Sequence, residues 1–339
     1  MTATTASAYV VRRWTLASRV SAGTVAVGVG ALAIVPLTLT ANVVQQLTSL
    51  LIFVILATMW NALAGFGGLV SVGQQAFIGI GAYGTILFTQ HGVTPYLAMA
   101  LAALACAVVA VPVSLLVLRL RGGQFAIGTW VVAEVFALLV ALDKGLGGGT
   151  GISLRGLNVY DPETRRGYTY WLTLAFTVLL IGLLFTLLRS RSGAALQAIR
   201  DDEDAAAASG VRVDRLKLLL FVLGSFGCGA AGALILANTL FIQPQSIFGV
   251  QWTAYMIFMV LVGGIGTVEG PIIGALVYFG VQYEFADQGA WYLIGLGATA
   301  VAFALLLPRG LWSLVEERLH VQLLPVGYRL HRIDADERA

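Results

Sequence analysis

Five polar side chains within apolar stretches of the sequence could contact a polar solute inside a membrane: Ser71, Gln74, Gln75, Thr129 and Glu134. Hydroxyl and amide groups can hydrogen-bond such a solute, and a carboxylate can bind an ammonium group or carry a proton. The first three lie in a glycine-rich stretch, residues 61–84. Polar or irregular chain at bilayer depth is tolerated only where it is buried in protein or lines a cavity. The stretch therefore predicts a broken or re-entrant helix along a substrate pathway.

Each of these features also has a simpler interpretation. Glycines allow helices to pack closely in membranes, which explains the glycines but not two adjacent large amides, Gln74 and Gln75. Glu134 is the only carboxylate well inside an apolar run. Since buried charges are usually paired, it could instead contact a backbone group or Gln75.

A second candidate site is the charged stretch 189–217, which separates two long apolar runs. Asp201 is placed to cap a short helix there, with three further acidic residues in its first turn. Ala205 to Ala208 would continue this helix, and Gly210 would end it in a left-handed conformation. The pattern predicts a surface helix with a face of small residues, suited to a groove on another protein. The alternative is an ordinary solvated loop.

The elements that carry both sites are apolar helices. Of the 339 residues, 58% are hydrophobic and 11% are charged, whereas soluble domains have about 25% charged residues. A spanning helix needs roughly 20 apolar residues, so the chain has room for about ten of them and for no sizeable soluble domain. We expect an all-α polytopic membrane protein in which some of the helices are short or broken.

The distribution of arginines predicts the topology. Residues 1–22 form a polar arm, residues 23–307 the transmembrane domain and residues 308–339 a polar tail that starts with a possible amphipathic helix, Leu311 to Leu324. With the arm in the cytoplasm, the positive-inside rule places the stretch 189–217 and the tail there too, provided that residues 252–283 form two short helices. Glycine pairs at 67–68 and 263–264 hint at a repeat of broken helices.

Several classes of activity are not indicated. The chain has no G-x-x-x-x-G-K-[ST] motif, so it would not hydrolyse ATP by a P-loop mechanism. The three histidines have no metal-site spacing, and both cysteines lie in apolar runs where thiols are usually inert. We expect no catalytic residues, no metal, no cofactor in this chain and no nucleic-acid partner.

Five segments, in order, resemble the permease subunits of branched-chain amino acid ABC transporters of the LivM type. They are GLVSVGQQAFIGIGAYG from Gly68, LRLRGGQFAIGTWVVAEV from Leu118, GGGTGI from Gly147, AIRDDEDAAAASGVRVDRLKLLLF from Ala198, and VGGIGTVEGPIIGA from Val262. Phe125 stands where the family usually has tyrosine, and the GGGTGI segment lacks the family's leading threonine.

This resemblance implies an ABC importer permease fold in a bacterial cell membrane. It also implies four kinds of partner: a second, homologous permease, two cytoplasmic ATPase subunits that bind ATP and Mg²⁺, an extracytoplasmic binding protein, and membrane lipid. The positions that match the family's ATPase-coupling segment are Arg200, Glu203, Ala205, Ala206 and Gly210.

Three other functions remain open from the sequence. Related permeases resemble this chain yet carry urea or amides instead of branched-chain amino acids. A secondary transporter would use Glu134 as the carboxylate that couples uptake to an ion gradient. A membrane scaffold would not transport anything.

Overall fold

A computed structural model describes residues 9–12, 16–285, 288–307, 309–319 and 329–332. The helices of its first half are α1 (Leu16–Thr38), α2 (Ala41–Asn61), α3 (Gln75–Gln90), α4 (Pro95–Val117), α5 (Gly123–Leu142) and α6 (Pro162–Arg189). Those of its second half are α7 (Arg191–Asp201), α8 (Glu203–Ala208), α9 (Val213–Thr239), α10 (Pro244–Ile247), α11 (Gln251–Gly263), α12 (Gly270–Phe285), α13 (Ala290–Leu306) and α14 (Gly310–Leu319). The strands are β1 (Tyr9–Arg12), β2 (Ile152–Ser153), β3 (Phe241–Ile242) and β4 (Arg329–Arg332).

Within the described residues, seven helical segments are long and apolar enough to cross a membrane. They are α2 with the turn after it, α4, α5, α6, α9, α10 joined to α11, and α13 with the start of α14. Three other helices are shorter, because α3 and α12 have 16 residues each and the apolar part of α1 is Val27–Thr38. The chain is a helical, multi-pass membrane protein. The predicted count of about ten spans requires all three shorter helices to cross as well, and it stays a prediction.

Helix α2 is the centre of the bundle. It packs against α6, α9, α11 and α12, and its second half is completely enclosed, as at Leu56 and Met59. Helices α3, α4 and α9 form the other half of the core. There α3 and α9 approach so closely that a side chain at Gly81 would collide with the carbonyl of Gly229. Small residues in α9 therefore permit backbone-to-backbone packing, as expected for helices in a membrane.

Both cysteines belong to this core. Cys106 and Cys228 are free and fully buried, in α4 and α9 respectively. Their position agrees with the prediction that they are packing residues.

The stretch between Trp252 and Tyr283 forms two helices, as predicted. Helix α11 ends at Gly263 and α12 begins at Gly270, and the intervening loop contains two glycines with positive φ, Gly264 and Gly266. These conformations are strained for other residues, so glycine permits the sharp reversal between the two helices.

The two ends of the described chain meet. Strand β1 pairs with β4 in an antiparallel ladder, in which Tyr9 is opposite Arg332 and Arg12 is opposite Arg329. The pairing brings residues from the predicted arm and from the predicted tail side by side.

The predicted arm and tail lie partly outside the described residues. The amphipathic helix expected at residues 311–324 is present as α14, which is described from Gly310 to Leu319. Within the arm and tail, residues 1–8, 13–15, 308, 320–328 and 333–339 lie outside the described part of the chain.

Candidate functional site

The predicted break in the first glycine-rich stretch is present. Helix α2 passes into a π-helical turn, Ala62–Phe66, and regular helix resumes only at Gln75. Between them the chain runs through residues 68–74 without helical structure, and Gly68 has a φ of +67°. Such π turns are rare in proteins overall, but those that occur are frequently at functional sites. Most of the irregular segment is buried, with Gly68 and Val70 exposed, and burial in protein is the condition for irregular backbone inside a membrane.

Ser71 and Gln74 form one polar cluster inside this break. Both side chains have 0% exposure. The Ser71 hydroxyl accepts hydrogen bonds from the Gly73 amide at 3.3 Å and from Gln74 Nε2 at 3.4 Å, and the Ser71 carbonyl accepts one from Trp60 Nε1 at 2.9 Å. Gln74 Oε1 has no hydrogen-bond partner among the described residues. A buried, unpaired amide oxygen is costly, so it marks a position where a solute or a rearrangement could supply a donor.

Gln75 makes a different contact. Its Oε1 accepts a hydrogen bond of 2.5 Å from the hydroxyl of Thr253, a residue of α11. Its Nε2 is buried and has no partner among the described residues. Gln75 therefore links the first break to the second half of the bundle. Thr253 was not predicted as a site residue, because a single threonine in an apolar run gives no signal of its own.

Thr129 packs directly on the break. Its hydroxyl accepts a hydrogen bond from the Val72 amide at 3.2 Å and donates one to the Ala126 carbonyl at 2.9 Å. A side chain at Gly73 would collide with the Thr129 carbonyl. Thr129 thus holds α5 against the irregular segment, and the structure brings it together with Ser71 and Gln74.

Glu134 lies elsewhere. It is exposed on α5 and accepts a hydrogen bond of 3.1 Å from Trp130 Nε1 on the same helix. The alternative in which Glu134 pairs with Gln75 is not realised among the described residues, where Glu134 contacts Trp130 and Gln75 contacts Thr253. Helix α5 has only a few polar residues, and they do not mark one face, so the sequence alone could not indicate which of its faces is buried.

The charged stretch folds into two helices, α7 and α8, which we call the polar helix pair. The cap of α8 is Asp202, whose Oδ1 accepts a hydrogen bond of 2.9 Å from the Ala205 amide. The prediction of Asp201 as the cap was wrong by one residue. Asp201 is the last residue of α7, a helix that Ser190 caps and that we did not predict. The predicted end of α8 is confirmed, since Gly210 has a φ of +84° two residues after the helix.

Glu203 and Ala206 face inwards. Glu203 Oε2 lies 2.5 Å from Lys217 Nζ in the first turns of α9, and the Lys217 side chain is only 8% exposed. Ala206 is 4% exposed, whereas Ala205 is exposed. Helix α8 therefore attaches to α9 through one face and leaves the other face free.

Arg200 also points into the bundle. Its Nη1 donates a hydrogen bond of 2.8 Å to the carbonyl of Gly65, inside the π turn. Beside this contact, Asn61 donates to the Thr267 carbonyl at 2.7 Å and accepts from the Gly266 amide at 2.8 Å. Asn61 was missed as a site residue. Its signal was a fully polar side chain at the end of a long apolar run.

The chain is similar to known transport permeases. The family described as "Branched-chain amino acid transport system / permease component" matches residues 42–311. The high-affinity branched-chain amino acid transport system permease protein LivM of Salmonella typhimurium is 28% identical over 314 residues, covering 85% of this chain and 74% of LivM. The xylose transport system permease protein XylH of Escherichia coli K12 is 32% identical, but over 109 residues, which are 31% of this chain and 28% of XylH.

One solved structure, of a metal-chelate type ABC transporter in an inward-facing conformation, aligns with a TM-score of 0.44 and 16% sequence identity. The alignment covers 78% of this chain and 89% of that one. A likeness of this size adds nothing to the fold assignment. The family match, by contrast, takes in both glycine breaks and the polar helix pair, and this chain belongs to the family of branched-chain amino acid transport permeases.

Proposed function

We propose that this chain is a transmembrane subunit of an ATP-driven importer that carries branched-chain or related amino acids into the cytoplasm. The observation that carries the proposal is the polar helix pair, a charged element that connects two long apolar helices, in a chain of this family. An element of this kind suits the docking of a soluble motor subunit. The chain itself would change no covalent bond, and ATP and Mg²⁺ would be bound by the ATPase subunits.

The face of α8 that points away from the bundle would contact an ATPase. It carries Asp204 and three exposed alanines, and Asp204 Oδ1 lies 3.4 Å from Arg121 Nη2 after α4. Small side chains permit close approach of a partner surface. Among the residues that the family resemblance assigns to coupling, Ala205 is the one on this face. Glu203 and Ala206 would hold α8 against the bundle, and Gly210 would end the helix before α9 begins.

The exposed side of α5 would face a second permease and the pathway between the two subunits. Glu134 is near the middle of that helix and is exposed. A carboxylate in the centre of a membrane costs about 2.5–3.5 kcal/mol when it must insert into lipid. The cost is avoided if protein or water covers it. Glu134 could then attract the ammonium group of an amino acid, while Ser71, Gln74, Gln75 and Thr129 line or support the pathway from inside this subunit.

Transport would follow from movement of the polar helix pair. This pair continues directly into α6 on one side and into α9 on the other. Closure of the ATPase dimer would therefore tilt both long helices, and rocking around the glycine breaks would alternate access between the two sides of the membrane. In this arrangement both terminal strands lie in the cytoplasm, and the binding protein delivers the amino acid from outside.

The test is uptake into proteoliposomes that contain this chain, the second permease and both ATPases. Leucine, urea and xylose, each supplied with its binding protein, would be compared as substrates. We expect leucine uptake that requires ATP inside the vesicles, because an importer delivers its substrate to the side on which its ATPases lie. Uptake driven by a proton gradient without any ATPase, and abolished by Glu134→Gln, would instead support a secondary transporter.

A further inference from the structure

The two glycine breaks meet at one point, which we call the glycine junction: Asn61, Gly65, Gly266 and Thr267. Asn61 uses both ends of its amide there, with Nδ2 on the Thr267 carbonyl and Oδ1 on the Gly266 amide. These contacts join positions more than 200 residues apart in sequence. Asn61 has 0% exposure, so this amide fastens the end of α2 to the loop between α11 and α12 inside the protein.

The junction has no room for larger side chains. A Cβ at Gly65 would lie 2.6 Å from the Gly266 nitrogen. Gly266 has a φ of +77°, and a Cβ there would lie 2.7 Å from Arg200 Nη1. The close approach of the two breaks therefore depends on glycine in both, and the Arg200 guanidinium fills the remaining space beside them.

Arg200 connects this junction to the polar helix pair. It is the penultimate residue of α7, and its hydrogen bond to the Gly65 carbonyl crosses 135 positions of the sequence. Arg200 also packs against Gly68, because a Cβ added to Gly68 would lie 3.5 Å from the Arg200 Cα. The side chain is 42% exposed and its Nε lies 3.5 Å from Asp201 Oδ1. The backbone of Arg200 thus belongs to the polar helix pair, while its guanidinium is bound to the π turn that follows α2.

We infer that Arg200 is a positioning residue that passes movement of the polar helix pair to both glycine breaks at once. A displacement of α7 acts on the Gly65 carbonyl through the guanidinium, and Asn61 relays it to the loop at Gly266 and Thr267. This inference rests on the proposed ATP-driven transport and assigns Arg200 a role different from ATPase docking. Its loss would leave the ATPases bound and active but would disconnect hydrolysis from transport.

The experiment compares wild type, Arg200→Met and Arg200→Lys in the complete complex of permeases, ATPases and binding protein. Methionine keeps the length and packing of the side chain but removes the donor to Gly65. Lysine keeps one donor. Arg191→Met is the matched control, since Arg191 is exposed at the other end of the same helix. For each variant, ATPase retention on the purified complex, ATP hydrolysis and leucine uptake would be measured.

We expect Arg200→Met to retain the ATPases and their hydrolysis, while the number of ATP molecules hydrolysed per leucine rises about tenfold, within the usual range of coupling between sites. Arg200→Lys should recover part of the uptake, and Arg191→Met should match wild type. Loss of the ATPases in Arg200→Met, a parallel fall in hydrolysis and uptake, or an unchanged ratio would each overturn the inference. Failure of the proposed function would look different, because the wild-type complex itself would show no ATP-dependent uptake.

Unfolding of the variant is a separate outcome that a second variant resolves. Asn61→Leu keeps the approximate size of the side chain and removes its hydrogen bonds to Gly266 and Thr267. Because two backbone groups lose their partner, we expect a lower melting temperature, but the complex that stays folded at the assay temperature should show the same raised ratio of hydrolysis to uptake as Arg200→Met. A normal ratio in a folded Asn61→Leu complex would contradict the relay.

Discussion

Lys217 Nζ lies 2.5 Å from Glu203 Oε2, and the two side chains are 8% and 30% exposed. The pair fastens α8 to α9 in a place that water reaches poorly. Removing one partner leaves the other charge without an opposite charge beside it. This costs far more folding free energy than replacing both partners by apolar residues.

We therefore expect Glu203→Gln to weaken the attachment of α8 by about 1.5–3 kcal/mol, the range for hydrogen bonds to charged groups. Hydrogen exchange of the amides in residues 203–210 would measure it. The double variant Glu203→Gln with Lys217→Met should recover part of the loss. Equal protection in wild type and Glu203→Gln would mean that the ion pair does not hold the helix.

The cap of α8 gives a second prediction with an internal control. Because Asp202 accepts the hydrogen bond from the Ala205 amide, Asp202→Ala should destabilise α8 by about 1 kcal/mol. Asp201→Ala removes only a contact with Arg200 at 3.5 Å on the surface, so its effect should be close to zero. Exchange rates in α8 would distinguish them, and a larger effect at Asp201 would reverse the assignment.

Gly73 gives a third prediction, about packing in the first break. A methyl group there would collide with the Thr129 carbonyl, so Gly73→Ala should lower the stability of the protein by about 1–3 kcal/mol, as overpacking does. The control is Gly182→Ala in the middle of α6, where a Cβ would meet no atom within 4 Å. That change should stabilise the helix by about 0.5–1 kcal/mol. Thermal unfolding in detergent would measure both changes. If Gly73→Ala left the stability unchanged, α5 would be able to move away from the break to make room for the methyl group.

The fourth prediction concerns Glu134. If this carboxylate attracts the ammonium group of the substrate, Glu134→Gln should reduce uptake at least tenfold, about 1.4 kcal/mol, through a higher KM. Assembly and ATP hydrolysis without substrate should not change. Trp130→Phe removes the hydrogen bond to Glu134 but keeps the charge, so its effect should be smaller. Glu134→Gln complexes with a normal KM would exclude this role.

How much the sequence could predict differs between the two sites. The end of α8 was predictable because a glycine after a run of alanines, such as Gly210, is a local signal for the end of a helix. The separation of α11 from α12 was predictable from the glycines between them. The cap was misplaced because Asp201 and Asp202 are equally good caps in isolation. Only the unpredicted helix α7, which runs through Asp201, decides between them.

The glycine junction could not be predicted in this way. Asn61 is a lone amide, and its importance comes from Gly266 and Thr267, which meet it only after the bundle has folded. The same holds for Thr253 and Gln75. The outward position of Glu134 depends on how α5 packs, and an evenly apolar helix does not specify its own orientation.

Because β1 pairs with β4, the two ends of the described chain lie side by side, as a circular permutation requires. If the two strands were covalently joined, the new chain ends could be placed in any polar loop. Placing them between α5 and α6, for example, would move the free ends to the opposite side of the membrane from the polar helix pair, if α6 crosses as we expect. The bundle would keep every helix neighbour that it has now.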